Sequence, residues 1–489
     1  MPGDDRAALD AFFDNPVDRP LLGIVYGRRR IGKSTLLVEQ VASRGGFYFE
    51  AIRVETPVQL ERLGVALGAH LGVGRLAFEG WEEAFAALIR LGEGADTPVP
   101  VVLDELGHIL EADPSVESAL TAALGPGAVG RSAGRARIVV CGSAISVMRA
   151  LTEGEAPLRG RASLELVMQP DDFRVAATRL PADAGLAAAV RTFAVIGGVV
   201  GYATDMVAFD LPSSQADVDR WIVERVLSPA ATLHREATTL LAEDPVVGGR
   251  NALLHHGILG AIANGSVTAG GIARRVGRPG GIARRVGRPV SNVDPFLRRL
   301  IDAGFVVRRD DPVRTRRPLY ALSDPFLQFH YAVLEPHGAL LRGRDPAAMW
   351  EERLASVFSS LVRGPVFEEM ARDWTLRFAG RSTVPVRDHI GPSMAHVGGR
   401  DRQIDVLVAG PGDVPGDRRV AAIGEAKAGE ELQDRHLRAL ESVRASFGTV
   451  ADGATLLLFG ERIHPALVAT AAGRSDVEIV DLERLYGGE

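Results

Sequence analysis

The apolar residues of this chain keep two different rhythms along its first third. Compact apolar runs at 21–26, 47–49, 99–103 and 137–141 read as strands, and the longer segments 57–71 and 81–91 read as helices. Strands alternating with helices predict a parallel sheet covered on both faces, a three-layer α/β unit. From about 187 to 241 the strand signal fades and the pattern is helix-rich throughout. Residues 251–263 and 290–303 then read as helices, and 305–307 with 319–321 as a short hairpin. Helix, helix and hairpin in that order predict a winged helix-turn-helix. Beyond a linker near Asp345-Pro346, a helix over 362–374 precedes strands at 403–408, 420–423, 455–459 and 477–480. The expected domains are therefore an α/β core over 1–185, a helical lid over 186–245, a winged helix over 246–340 and a small α/β domain over 345–489.

Inside the third segment, Gly270-Gly271-Ile272-Ala273-Arg274-Arg275-Val276-Gly277-Arg278-Pro279 is followed by the same ten residues over 280–289. One such duplication is no solenoid. Its simplest reading is an extra turn of loop or short helix ahead of the second helix.

Composition narrows the picture only modestly. A chain of 489 residues is too long for a single core, and its charged and hydrophobic shares of 24% and 46% are those of a globular protein. The net charge of −6 gives no global attraction to nucleic acid, so any such role needs a local basic face. One exists: residues 271–320 hold thirteen arginines and four aspartates, an excess of nine positive charges. The single cysteine, Cys141, follows Ile138-Val139-Val140 and is expected to be buried and inert. An acidic start without an apolar core, and no run long enough to span a bilayer, lead to the expectation of a cytoplasmic protein without membrane contact. Histidines are scattered, and His255-His256 has no partner at ligand spacing, so zinc is not expected.

The chemistry begins at Gly27-Arg28-Arg29-Arg30-Ile31-Gly32-Lys33-Ser34, with Thr35-Leu36-Leu37 after it. This is G-x-x-x-x-G-K-[ST] set between a strand and a helix start. Backbone N–H groups of such a loop, with the positive end of the helix dipole, cradle phosphate oxygens. Lys33 is expected on the β- and γ-phosphates of ATP, and Ser34 on Mg²⁺. The chain has only two lysines, Lys33 and Lys427. Arginine serves every other basic position, which marks these two as places where a compact ammonium is required.

The strand at 99–103 runs into Asp104-Glu105. An apolar strand ending in two acids suits Mg²⁺ binding by Asp104 and activation of the attacking water by Glu105. Ser143, at the tip of the strand 137–141, is a candidate γ-phosphate sensor or a helix cap. Arg159 and Arg161 are candidate arginine fingers, in cis or from a neighbouring copy.

Together the strings Tyr26-Gly27-Arg28-Arg29-Arg30-Ile31-Gly32-Lys33-Ser34, Leu103-Asp104-Glu105-Leu106-Gly107-His108, Gly142-Ser143-Ala144-Ile145-Ser146 and Pro157-Leu158-Arg159-Gly160-Arg161 resemble the archaeal-type ATPase family, a branch of the AAA+/STAND P-loop group. Gly197-Gly198-Val199 with Tyr202 is similar to a further glycine motif in that family's lid. The resemblance implies a winged helix and a C-terminal domain like the PD-(D/E)xK nucleases. It also implies ring-forming relatives, and hence a homo-oligomer if the finger acts in trans.

Asp405 on one strand and Glu425-Ala426-Lys427 on its expected hairpin partner have that nuclease arrangement. Alternation puts Glu425 and Lys427 on one face. Asp405 and Glu425 would hold Mg²⁺ or Mn²⁺, and Lys427 would steady the attacking water. Glu368, on the preceding helix beside Glu369, is a supporting acid. Two functions are expected from these residues: an ATPase gating a DNA-directed, metal-dependent nuclease-like domain, or a nucleotide-switched regulator or scaffold whose C-terminal domain only binds.

Overall fold

The computed structural model describes residues 2–125, 134–244, 247–249, 251–277, 293–315, 317–412, 414 and 417–489. They form two compact units, Met1–Asp171 with Val199–Gly201, and Asp172–Gly198 with Tyr202–Glu489. No helix among the described residues is long and apolar enough to cross a membrane.

The first unit is built on five parallel strands, β1 (Leu21–Tyr26), β2 (Phe47–Glu50), β3 (Val99–Asp104), β4 (Ala136–Gly142) and β5 (Ala162–Val167). Their order is β2-β3-β4-β1-β5. Every residue of β1 and β4 is buried, as the unbroken apolar runs require of strands covered on both faces. On one face the helix Thr56–Leu71 packs Leu60, Leu63 and Leu67 into a core shared with Phe47, Phe49 and the helix Trp81–Arg90, through Trp81, Phe85 and Leu88. Arg137 on β4 is fully buried without a carboxylate partner among the described residues. Its guanidinium donates instead to the carbonyls of Asn15, Val17 and Arg19, pinning the turn that leads into β1.

The order of the sheet decides where chemistry can occur. β4 lies between β1 and β3, so the carboxyl ends of three strands stand side by side, and loops leaving such ends form the ligand crevice of open α/β sheets.

In the second unit, the helices Ala252–Ala263, Ala269–Gly277 and Asp294–Asp302 precede an antiparallel hairpin of β6 (Val306–Arg309) and β7 (Leu319–Leu322). The first copy of the ten-residue repeat is largely helical, with Ile272 and Val276 buried. The second copy, 280–289, lies outside the described residues, as does the start of the helix expected from 290. The C-terminal sheet comprises β8 (His389–Val397), β9 (Arg400–Ala409), β10 (Val420–Leu432), β11 (Thr455–Ile463) and β12 (Val477–Val480), in the order β12-β11-β10-β9-β8. β8, β9 and β10 pair antiparallel, whereas β10, β11 and β12 pair parallel.

The connection between β6 and β7 is fixed to that sheet. Asp311, buried, accepts from Ser393 Oγ of β8 at 2.7 Å and from the backbone N–H groups of Val313 and Arg314. Arg418 donates to the Pro312 carbonyl at 3.0 Å. A Cβ at Gly391 would stand 2.7 Å from the Asp310 carbonyl, so only glycine admits this approach.

The helical core of the unit carries a pH-sensitive group. Burial, with His256 and His234 nearby, pushes the His330 imidazole down to about 4. An unfolded histidine titrates near pH 6.5, so as pH falls the unfolded chain takes the proton first. The stability owed to neutral His330 is complete above about pH 6.5 and is lost progressively towards pH 4. Lowering the pH from 7 to 5 is expected to cost about 2 kcal/mol through this residue. Urea denaturation at the two pH values should show that loss, and His330→Phe should remove it.

Candidate functional site

The loop from Gly27 to Ser34 leaves the end of β1, and its backbone is shaped for close approach. A Cβ at Gly27 would fall 2.4 Å from the Met168 carbonyl. Arg30 and Gly32 adopt left-handed conformations, with φ of 67° and 94°, so the loop folds inward before the helix Lys33–Arg44 begins. No side chain caps that helix start. Lys33, 5% exposed, turns its ammonium back over the loop and donates to the carbonyls of Gly27 and Arg28, each at 2.9 Å. Arg28 and Ile31 are buried in the loop, whereas Arg29, Ser34 and Thr35 are exposed.

Asp104, fully buried at the end of β3, meets this loop. Ser34 Oγ donates to Asp104 Oδ2 at 2.6 Å, and Glu105 N donates to Oδ1 at 2.8 Å. A hydroxyl and a carboxylate brought together beside the glycine loop form the hard oxygen set that suits Mg²⁺, which takes one or two protein ligands and completes its shell with phosphate and water. Ser34 and Asp104 are thus the residues that would hold the ion.

Glu105 follows in a left-handed conformation, φ 54°, uncommon for a residue with a side chain and frequent where a functional group is held out of regular structure. Its Oε2 accepts from Ser143 Oγ at 3.0 Å and from Ser143 N at 3.4 Å. Ser143 therefore bonds to the proposed water-activating acid rather than capping the following helix, which has no side-chain cap. Arg159 and Arg161 are exposed and bond to carbonyls of their own loop, Gly154 and Pro157. The Cys141 thiol is raised well above its ordinary value by burial and then by the Asp104 charge, which fits an inert cysteine.

Two features of this unit escaped the sequence. Tyr48 Oη donates to Asp104 Oδ2 at 2.7 Å. Burial, and then this bond, raise the phenol far above its usual pKa, so it stays a donor. Val199–Gly201, expected in the lid, belong to this unit instead, with Gly201 N donating to the Arg30 carbonyl at 2.8 Å.

A second constellation lies on the C-terminal sheet. β9 and β10 are antiparallel partners with Gly424 opposite Val406, which brings Asp405, Glu425 and Lys427 together. Lys427 Nζ stands 2.7 Å from Glu425 Oε1 and 3.9 Å from Asp405 Oδ2, and Ala426 N donates to Asp405 Oδ2 at 2.9 Å. Burial first, and then the Glu425 charge, push the Asp405 carboxyl up. Glu368, on the helix Gly364–Arg377, is pushed up by burial and then by Asp405, and accepts from Gln403 Nε2 at 3.2 Å. Glu369 behaves oppositely. Burial would raise it, but the guanidinium groups of Arg372 and Arg309 win and hold it down to about 2. Arg372 also donates to the Asp405 carbonyl, a supporting role that no motif disclosed.

Glu368 Oε2 stands 4.0 Å from Arg372 Nη1 and feels the Asp405 charge, and Glu369 is a structural anchor for β6 through Arg309, at 2.8 Å. Among the described residues no three His, Cys, Asp or Glu side chains gather closely enough to hold a metal by themselves. Asp405 and Glu425 are hard carboxylate donors, and an ion held by them would need phosphate or water to complete its shell.

Comparison with known proteins gives context at low similarity. No family model matches this chain. An uncharacterized protein of Methanocaldococcus jannaschii is 21% identical over 371 residues, 74% of each chain. Among solved structures, the Walker-type ATPase PABY2304 of Pyrococcus abyssi is 17% identical, with 68% of this chain and 96% of that one covered at a TM-score of 0.48. The ORC2 protein of Aeropyrum pernix is 15% identical, with 70% and 93% covered at a TM-score of 0.46. These structural neighbours are archaeal proteins. The α/β assignment rests on the sheet order and the loop geometry described above.

Proposed function

We propose that this chain binds and hydrolyses ATP as an AAA+/STAND-like P-loop ATPase. The observation that carries the reading is the convergence of Lys33, Ser34, Asp104, Glu105 and Ser143 at the carboxyl ends of three adjacent strands. The loop from Gly27 to Ser34 with Thr35 binds the phosphates and Lys33 neutralises their charge; Ser34 and Asp104 would hold Mg²⁺, which would supply further positive charge at the γ-phosphoryl group. Glu105, steadied by Ser143, orients and deprotonates the attacking water. The test is direct: wild-type protein binds a fluorescent ATP analogue, whereas Lys33→Ala binds it at least about tenfold more weakly, each 1.4 kcal/mol of lost interaction being a factor of ten. Equal binding by the two proteins sinks the reading.

We propose further that the C-terminal domain is nuclease-like, with a winged helix beside it, directed to DNA and coupled to nucleotide state; what supports its nuclease-like part is the approach of Lys427 to Glu425 and Asp405. Asp405 and Glu425 would hold Mg²⁺ or Mn²⁺, and Lys427 would stabilise developing charge. The arginine-rich helices, rather than the tethered hairpin turn, are then the surface offered to the DNA backbone. A second reading also has an observation in its favour. Lys427 and, at 3.8 Å, Arg402 both stand against Glu425, and no three acids assemble among the described residues. That neutralised arrangement suits a domain that binds without cutting, with ATP as its switch. Plasmid nicking separates the two readings.

A further inference from the structure

Strand β2 is short, and each of its side chains has a distinct destination. Phe47 and Phe49 enter the hydrophobic core, so Tyr48 between them faces the other side of the sheet. In the parallel ladder Tyr48 stands opposite Val102 and Glu50 opposite Asp104. Tyr48 therefore lies two residues, about 6.6 Å, short of the strand end. A phenol spans that gap, and its hydroxyl arrives at Asp104 Oδ2 at 2.7 Å. The same oxygen accepts from Ser34 Oγ at 2.6 Å, and Oδ1 accepts from Glu105 N at 2.8 Å.

These donors differ in what catalysis asks of them. Ser34 would share its oxygen with a metal ion, a lone pair towards the ion and its hydrogen still on Asp104 Oδ2. Glu105 N holds Oδ1 from the backbone. Tyr48 comes from a strand outside the phosphate loop, and nothing in the reaction calls on its hydroxyl. A fully buried carboxylate is costly unless its oxygens accept hydrogen bonds, and the phenol supplies one from outside the loop that handles the ligand.

We propose that Tyr48 is a positioning residue for the divalent cation of the nucleotide site: its phenol, alongside Ser34, keeps the Asp104 carboxylate oriented towards the ion. The inference rests on the reading of Gly27 to Ser34 as a nucleotide site and adds to it a residue outside both acidic and glycine motifs. Hydrogen bonds behind a metal-binding carboxylate are worth 10- to 100-fold in metal affinity or activity in other proteins.

The experiment is a titration of the full-length protein with a fluorescent ADP analogue, with Mg²⁺ varied from none to saturation. Tyr48→Phe keeps the ring and removes only the hydroxyl. Its half-saturating Mg²⁺ concentration is expected to rise about tenfold, while its Mg²⁺-free nucleotide affinity matches the wild type. In an Asp104→Asn background the same substitution should add nothing, because the carboxylate it positions is gone. Unchanged Mg²⁺ dependence in Tyr48→Phe overturns the proposal. So does an equal loss of affinity with and without Mg²⁺, which marks the hydroxyl as merely structural, and so does a full effect surviving in Asp104→Asn. Failure of the wild type to bind the nucleotide in any Mg²⁺ concentration is a separate result, because it removes the nucleotide-site reading itself and this inference with it.

Discussion

Replacing Glu105 by Gln is expected to lower the turnover of ATP by about 10²- to 10⁴-fold while leaving its binding intact. The substitution is nearly isosteric. Glu105 Oε2 serves as acceptor for Ser143 Oγ and N at 3.0 and 3.4 Å, and a glutamine amide oxygen can take both bonds. Backbone strain is also unchanged, because φ of 54° costs a glutamine as much as a glutamate. What disappears is the basicity needed to take a proton from water. Steady-state turnover beside equilibrium binding of the fluorescent analogue reads the two effects separately. A turnover equal to wild type would assign the water to another group and leave Glu105 as an acceptor for Ser143 at the start of the helix Leu106–Ala112.

The second large effect concerns the C-terminal sheet. If that domain cuts DNA, Asp405→Ala is expected to abolish nicking of supercoiled plasmid in Mg²⁺ or Mn²⁺, a loss of about 100-fold or more. Asp405 is the pivot of the constellation: its Oδ2 accepts from Ala426 N and faces Lys427, and its carbonyl is held by Arg372. Lys427→Ala should give a comparable loss for a different reason. It frees the buried Glu425 from its ammonium partner at 2.7 Å and removes the cation from the site. Absence of cleavage by the wild type, with and without ATP, would favour the binding-only reading and leave the ATPase reading untouched.

Both lysines singled out by their rarity lie in these constellations, with ammonium groups in contact with loop carbonyls in one case and a carboxylate in the other. The glycine loop, the acids closing β3 and the Asp405 to Lys427 spacing were legible because each is a local pattern. A turn needs glycine, a buried strand needs an unbroken apolar run, and alternation sets which side chains share a face. The strands β1 to β4 were legible for the same reason. β8 was not, because it has few of the β-branched or aromatic residues that mark a strand and gains its ladder only by pairing with β9. The residue pattern alone did not separate Glu368 from Glu369, and the choice of Glu368 came from the family resemblance. Adjacent residues on a helix point about 100° apart, and only packing gives Glu369 its close bonds to Arg309 and Arg372 while Glu368 accepts from Gln403.

What the sequence determined by itself, then, is what a short stretch of backbone can carry: the glycine loop between strand and helix, the order of strand and helix in the first unit, and the pairing of an acid with Glu-x-Lys across a hairpin. The tertiary structure decided the rest. It placed Tyr48 against Asp104 across 56 residues, returned Val199–Gly201 to the phosphate loop, and fixed the β6–β7 turn to β8 through Asp311 and Ser393. Each joins segments far apart in the chain, and such contacts depend on strand order and on which face of each element is buried, neither of which any local run of residues encodes.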